Sequence, residues 1–457
     1  MKFYDREKEL RFLKSAAALR VAVVGRRRIG KTRLVEEAFN DCLVLFVSAE
    51  KAESEIISGW VEEYPQLNLP KVKTLKEFFS FLMAHFKGVI FIDELQNVLK
   101  VNRSFVCDLQ RLLDKNRQRG IVVSGSYIRT MKKLVENYKS PIFGRFDSII
   151  KLRELDFSTV LEIMHDLGYN TEDTIKFYSV FGGIPKYYET MEKMPKKSVL
   201  EAINELFIFY PRPLCEEVKT TLKEEFGKDY KNFFSILSAI SRGKNSLGEI
   251  SDFVDREPTK LTKYLALLKE DFEIVNHAKP TVGNQKRGLY YLNFNLAEFW
   301  FRFIWRHQEL LERNLEKELA AKTAQNINAF IGEKFEEICK QALEKLSEEK
   351  KLFRFERAGR QWGKIKGKPK GQNTYEIDIV TLNEHTKEIL FAECKWKKGV
   401  NAEKALAELK EKAAFVQWNN QKRKEHYAIF AKSFKKRAKE KNTHCFDLKD
   451  LEKAFKK

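Results

Sequence analysis

Residues 20 to 34 read RVAVVGRRRIGKTRL, and this stretch decides the fold. The run VAVV suits a strand buried on both faces of a parallel sheet. The residues that follow, GRRRIGKT, meet G-x-x-x-x-G-K-[ST] at every fixed position. Backbone amides of such a loop wrap a β-phosphate at the positive end of the next helix. Gly25, Arg28, Ile29, Gly30, Lys31, Thr32 and Arg33 are therefore the expected nucleotide-binding residues. Lys31 is expected to reach the β- and γ-phosphates, and the Thr32 hydroxyl to bind Mg²⁺. The ligand expected is ATP.

Downstream motifs supply the partners such a loop needs. At 89 to 95, VIFIDEL sets four apolar residues before two acids. A buried strand would deliver Asp93 to the Mg²⁺ shell and let Glu94 polarise the attacking water. A third strand, GIVVSGS at 120 to 126, ends in small polar residues. Either Ser124 or Ser126 would bond the γ-phosphate or the water, or the segment is a plain strand exit. SPIFGRFDSIIKL at 140 to 152 places Arg145 before another β-like run. That arginine would stabilise charge on the transferred phosphoryl group, in cis or from a neighbouring subunit.

The opening FYDREKELRFL resembles the lead-in of the archaeal ATPase family, a STAND/AAA-like branch of the P-loop NTPases. FGR at 143 to 145 and FGGIPKYY at 181 to 188 resemble its other two signatures. The resemblance implies a parallel-sheet ATPase core followed by a helical lid. It also implies that Gly182, Gly183 and Pro185 let backbone approach the nucleotide, an approach glycine permits sterically.

From 229 the pattern changes. DYKNFFSILSAISRG reads as an amphipathic helix stopped at Gly243, LGEISDFV as a short helix, and EPTKLTKYLALLKE as a third. FEIVNHA and GLYYLNF then flank KPTVGNQKRG as a hairpin. This order is that of a winged helix-turn-helix. Thr259, Lys260, Lys263, Lys279, Lys286 and Arg287 would face DNA phosphates, or the module packs against the lid. The aromatic helix in NLAEFWFRFIWRHQEL is expected to pack rather than to stack bases.

The last segment poses the second chemical question. YEIDIVTL and LFAECKW read as neighbouring strands. Alternation puts Glu393 and Lys395 on one face, with Cys394 on the other. It also puts Glu376 and Asp378 together, opposite Ile377 and Ile379. In a hairpin Asp378 would lie beside Glu393, and two adjacent carboxylates call for a cation. Mg²⁺ suits such oxygen ligands, and Lys395 would orient or activate water. The spacing D-x14-E-x-K resembles the PD-(D/E)xK nucleases, with Ile377 where those proteins usually have Pro. The helix around GEKFE, 332 to 336, resembles the acid-bearing helix of archaeal resolvase-type members, which implies Glu336 as a further metal-site acid.

Composition bounds the rest. Of 457 residues, 85 are Lys or Arg and 65 Asp or Glu, a net charge of +20 that favours a polyanion such as DNA. The six scattered cysteines point to a reducing cytoplasm, and no apolar run approaches a membrane span. The expected architecture is multidomain α/β: an ATPase core over 1–155, a lid over 156–212, winged helix and aromatic helix over 213–320, and a restriction-endonuclease-like domain over 321–457. The expected function is ATP hydrolysis coupled to a Mg²⁺-dependent, DNA-directed nuclease, possible as a homo-oligomer. The rival is a STAND-type nucleotide switch whose last domain only binds DNA or a partner.

Overall fold

The structure is a computed structural model that describes residues 1–15, 20–283, 288–365, 367–369 and 371–456. Lys286 and Arg287, anticipated as phosphate contacts, lie outside the described residues. The chain forms two compact units. The first holds 1–154 with 184–189 and 270–272; the second holds 155–183, 190–269 and 273–457.

In the first unit, β1 (Arg20–Val24), β2 (Cys42–Phe46), β3 (Val89–Asp93), β4 (Ile121–Gly125) and β5 (Ser148–Lys151) form one sheet. The order is β2-β3-β4-β1-β5 and all neighbours are parallel. Both faces are covered, which is why these strands are apolar runs rather than alternating ones. Ala22, Val24, Ile90, Ile92, Ile121 and Val123 pack into one core, and Val21, Val23, Phe91 and Val122 into another. The chain leaves β1 through the Gly-rich loop and enters the helix Lys31–Ala38. The loops after β1, β3 and β4 share the carboxyl edge of the sheet, where open α/β sheets bind ligands.

In the second unit, helices Phe157–Asp166, Thr171–Phe181 and Val199–Ile203 occupy the region anticipated as a lid. Gly183 is needed there for a reason other than a nucleotide. A Cβ on it would sit 1.8 Å from the Leu155 carbonyl oxygen, and Leu155 N–H donates to the Gly183 carbonyl at 2.8 Å. The close backbone approach is thus to the chain itself. Glu172 on the Thr171–Phe181 helix receives Lys432 at 2.5 Å and Lys176 at 3.3 Å. Burial pushes its carboxyl up, but these ammonium groups outweigh burial and hold it below the usual range. A lowered acid contributes stability that is present above its ordinary value of 4.5 and lost as pH falls through the folded value. Glu172→Gln should therefore destabilise by about 2 kcal/mol at neutral pH. The difference should vanish in strong acid, as read by denaturation at both pH values.

Helices Tyr230–Ser241, Leu247–Val254 and Pro258–Ala266 are followed by the antiparallel pair β6 (Val275–Ala278) and β7 (Leu289–Leu292). Ser246 and Glu249 form a reciprocal cap on the second helix, and Gly243 takes φ 80° just past the end of the first. Thr259, Lys260, Lys263 and Lys279 are exposed. The aromatic segment is not one α-helix. It runs α over Asn295–Phe299, π over Trp300–Ile304, 3-10 over Trp305–His307 and α again over Gln308–Glu312. Phe299, Trp300, Phe301, Phe303 and Ile304 are all buried. A segment apolar on every side has to be enclosed, so these rings serve packing.

One helix, Glu316–Glu348, then runs uninterrupted through the boundary anticipated at 320/321. Beyond it, β8 (Arg357–Lys364), β9 (Thr374–Asn383), β10 (Glu388–Lys395), the short β11 (Val400–Asn401), β12 (Lys424–Ala431), β13 (Phe434–Lys436) and β14 (Thr443–Phe446) follow. The main sheet is ordered β14-β12-β10-β9-β8, and β11 pairs with β13. β8, β9 and β10 are antiparallel neighbours, whereas β12 and β14 join in parallel. The helix Ala402–Ala413 buries Leu406 and Leu409 against Phe391 and Ile429 of this sheet. No disulfide joins the six cysteines. Among the described residues no helix is long and apolar enough to cross a membrane.

Candidate functional sites

The Gly-rich loop is shaped by two left-handed residues, Arg28 at φ 67° and Gly30 at φ 89°. Such turns direct successive amides toward one point and form an anion cradle. Gly25 is required by contact, because a Cβ there would lie 2.6 Å from the Leu152 carbonyl oxygen. Ile29 is buried and anchors the loop. Lys31 is only 5 % exposed. Its ammonium donates to the carbonyls of Gly25 and Arg26, both at 3.2 Å, and lies 3.8 Å from Glu94 Oε1.

The end of β3 meets this loop from the side. Thr32 Oγ1 donates to Asp93 Oδ2 at 2.7 Å. The other Asp93 oxygen accepts the hydroxyl of Ser124 and, at 3.1 Å, the Glu94 N–H. Glu94 sits at φ 57°, an uncommon setting for a glutamate. Its Oε2 accepts Ser126 Oγ at 2.7 Å, Ser126 N–H at 3.2 Å and the Gln96 amide. The two serines left open as sensors therefore divide: Ser124 is fully buried on Asp93, and Ser126 holds Glu94.

Arg33 joins the other signatures within the first unit. It donates to Glu189 Oε1 at 3.2 Å and to the Met1 carbonyl at 2.6 Å, and lies over the Phe3 ring. Glu189 belongs to the helix that Pro185 begins. Arg145 lies elsewhere. It grips Asp114 with two N–H groups, each at 3.2 Å. β5 starts beside Val21 in parallel register, so Arg145 precedes the amino edge of the sheet, whereas the phosphate loop leaves its carboxyl edge. The length of β1, roughly 15 Å at about 3.3 Å per residue, separates the two edges. That separation removes the cis reading of Arg145.

The second cluster lies on β9 and β10. Ala392 pairs with Ile379, so Glu393 stands next to Asp378. Cys394 N–H donates to Asp378 Oδ2 at 2.7 Å. Lys395 donates to Glu393 Oε1 at 2.5 Å. Strict alternation fails on β9, where the register against β8 shifts between Gly359 and Gln361. Ile377 thereby packs in the core with Val380 and Leu382, a core that Ile379 does not join, so the expected face shared by Ile377 and Ile379 is not formed. Such a bulge re-aims side chains beside it, here Asp378.

Sequence reading missed two residues. Lys412 donates to both Glu393 oxygens, at 2.9 and 3.2 Å. Arg360, at the bulge, takes Glu336 Oε2 at 2.5 Å and approaches Glu376 at 3.9 Å. Glu336 is thus paired with an arginine, and no group of three acids, histidines or cysteines at metal-binding spacing occurs among the described residues. Lys412 had no signal, since AEKALAELKEKA carries several charged positions of equal appearance.

The electrostatics reflect crowding. Burial pushes Glu336 up to about 8, with Arg360 opposing and Asp378 adding to the rise. Burial likewise lifts Asp378 to about 6, and the neighbouring Glu393 contributes. Burial works against the Lys395 ammonium, but its bond to Glu393 outweighs that and raises its pKa. The segment after β6 braces the same edge. Thr281 N–H and Oγ1 donate to the Arg360 carbonyl at 3.1 and 3.0 Å, and Val282 N–H donates to Gln361 Oε1 at 2.8 Å. Part of the anticipated wing is thus engaged with β8.

Comparison with known proteins bears on both clusters. Residues 3–191 match a family described as an ATPase domain predominantly from Archaea. Residues 300–414 match one described as archaea bacterial proteins of unknown function. An uncharacterized protein, MJECL04, from Methanocaldococcus jannaschii is 30% identical over 468 residues, covering 98% of this chain and all of that one. Among solved structures, the Walker-type ATPase paby2304 of Pyrococcus abyssi aligns at TM-score 0.48 and 16% identity, over 66% of this chain and 96% of that one. The ORC2 protein of Aeropyrum pernix aligns at 0.44 and 14%, over 70% and 96%.

Proposed function

The chain belongs to the archaeal ATPase family, and from that premise we propose an ATP-hydrolysing protein whose last domain acts on DNA phosphodiesters. The observation that carries the first half is the pairing of Thr32 with Asp93 at 2.7 Å while Lys31 lies 3.8 Å from Glu94. A hydroxyl and a carboxylate oxygen are the donors a hard cation takes, so Thr32 and Asp93 fit as holders of Mg²⁺. When bound, Mg²⁺ would neutralise phosphate charge. The loop amides orient the phosphates, Lys31 leaves its carbonyl partners for phosphate oxygens, and Glu94 accepts a proton from the attacking water. Ser126 keeps the Glu94 carboxylate aimed.

Arg145 acts in trans in this reading, which makes hydrolysis depend on a homo-oligomer. Arg145→Ala should cut turnover on the order of 10³-fold. Turnover per wild-type chain should rise with protein concentration, and a flat rate would remove the trans role.

The nuclease half rests on Asp378 beside Glu393, with Lys395 2.5 Å from Glu393. These two carboxylates suit a divalent cation, which would polarise the scissile phosphate. Lys395, kept as an ammonium by its bond to Glu393, then positions the water or stabilises the negative charge that develops on the phosphate. Glu336, expected as a third ligand, is held by Arg360 and serves as a neighbour instead. The rival reading, a nucleotide switch whose last domain only binds, draws support from the lack of a metal-spaced group of three acids, histidines or cysteines among the described residues. One assay separates them: purified chain with Mn²⁺ or Mg²⁺ on plasmid, linear and branched DNA, with and without ATP. Strand cleavage supports the nuclease; ATP turnover with no cleavage on any substrate supports the switch.

A further inference from the structure

Glu393 is a carboxylate with its side chain only 6 % exposed. A buried charge of that kind needs charged partners, and it has two. Lys395 sits two residues along the same strand and is confined to Oε1. Lys412 comes from the Ala402–Ala413 helix and spans both oxygens. It occupies the bidentate position that a divalent cation would take on this carboxylate. Its side chain is 34 % exposed, so the ammonium has a route toward solvent that Glu393 lacks.

The charge count gives this arrangement a consequence. Glu336, Asp378 and Glu393 are matched by Arg360, Lys395 and Lys412, with Glu376 and Glu408 at the rim. The inner group sums to zero with all three carboxylates charged and is positive where Glu336 keeps its proton, so it gains little from a divalent cation alone. A phosphodiester arriving with the cation supplies negative charge, and it offers an ammonium a new partner. Building on the nuclease reading, we infer that Lys412 is a positioning residue that closes Glu393 to divalent metal until a DNA phosphate draws it away. Metal and DNA then bind jointly, and the chain does not carry a loaded nuclease site when free of DNA.

The test is Mn²⁺ binding by the full, nucleotide-free chain, followed by the electron paramagnetic resonance of free Mn²⁺. It is run with and without a short phosphorothioate duplex that resists cleavage. Only the binding lost in Asp378→Asn is counted. In the wild type, the duplex should tighten Mn²⁺ binding by about tenfold or more. Lys412→Met and Lys412→Gln should bind Mn²⁺ about tenfold tighter than wild type without duplex, and gain little from it. Lys412→Arg should behave as wild type. Thermal melts check that each variant is folded. Wild-type Mn²⁺ affinity in folded Lys412→Met and Lys412→Gln would overturn the gating role and leave the nuclease reading standing. Absence of Asp378-dependent Mn²⁺ binding in every protein, with duplex present, would overturn both.

Discussion

Glu94→Gln should slow ATP turnover on the order of 10³-fold, within the range for loss of a positioned general base, while ATP still binds. The glutamine keeps the shape and still accepts the Ser126 N–H, which reaches Glu94 at 3.2 Å in the wild type. It loses only the charge that attracts the water proton and that faces Lys31 at 3.8 Å. The backbone at φ 57° is the second reason for a large effect. A non-glycine residue in this setting is uncommon and costs on the order of 1 kcal/mol, and here it aims the carboxylate. Phosphate release under saturating ATP, with binding measured by a fluorescent analogue, separates chemistry from affinity. Turnover within threefold of wild type would remove Glu94 from the reaction.

Asp378→Asn should reduce DNA cleavage by at least about 10³-fold, roughly 4 kcal/mol of transition-state stabilisation at 1.36 kcal/mol per factor of ten. Asn retains an oxygen that can accept the Cys394 N–H, which Asp378 takes at 2.7 Å, so the strand pairing should survive. What disappears is one of two charges on which a divalent cation depends. Lys395→Met should be comparably slow yet keep metal-dependent DNA binding, because it removes the group acting on water. Plasmid nicking in Mn²⁺ reads both variants. Cleavage persisting in either at the wild-type rate would take that residue out of the chemistry.

The nucleotide half was readable because its signals are local and redundant. VAVV, GRRRIGKT and VIFIDEL each name a strand or a turn by composition, and the parallel sheet requires them at separate strand ends. What escaped was long-range. Nothing around Arg145 in the sequence says which edge of the sheet β5 begins on; the register of Ser148 beside Val21 does. Nor does the glycine pair at 182 and 183 announce in sequence that Gly183 is needed for a close backbone approach to Leu155.

The carboxylate cluster was half legible. Alternation on β10 correctly put Glu393 and Lys395 together, because β10 keeps an even register with β12 along its length. On β9 the same rule failed beside the bulge, since one extra residue exchanges the faces and no residue type marks it. Lys412 and Arg360 were invisible for a related reason. Each reaches the cluster from a different element, and a charged helix or a basic strand offers many equivalent candidates.

We propose that Asp378 and Glu393 form a cation site at which DNA is cut. This site is tested most directly by anomalous scattering from Mn²⁺ in crystals of the full chain grown with an ATP analogue and an uncleavable duplex. One peak is expected beside Thr32 and Asp93 and a second between Asp378 and Glu393, with Lys412 turned to a phosphate. A single peak at the nucleotide, with Lys412 still spanning Glu393 and DNA bound elsewhere, would contradict it.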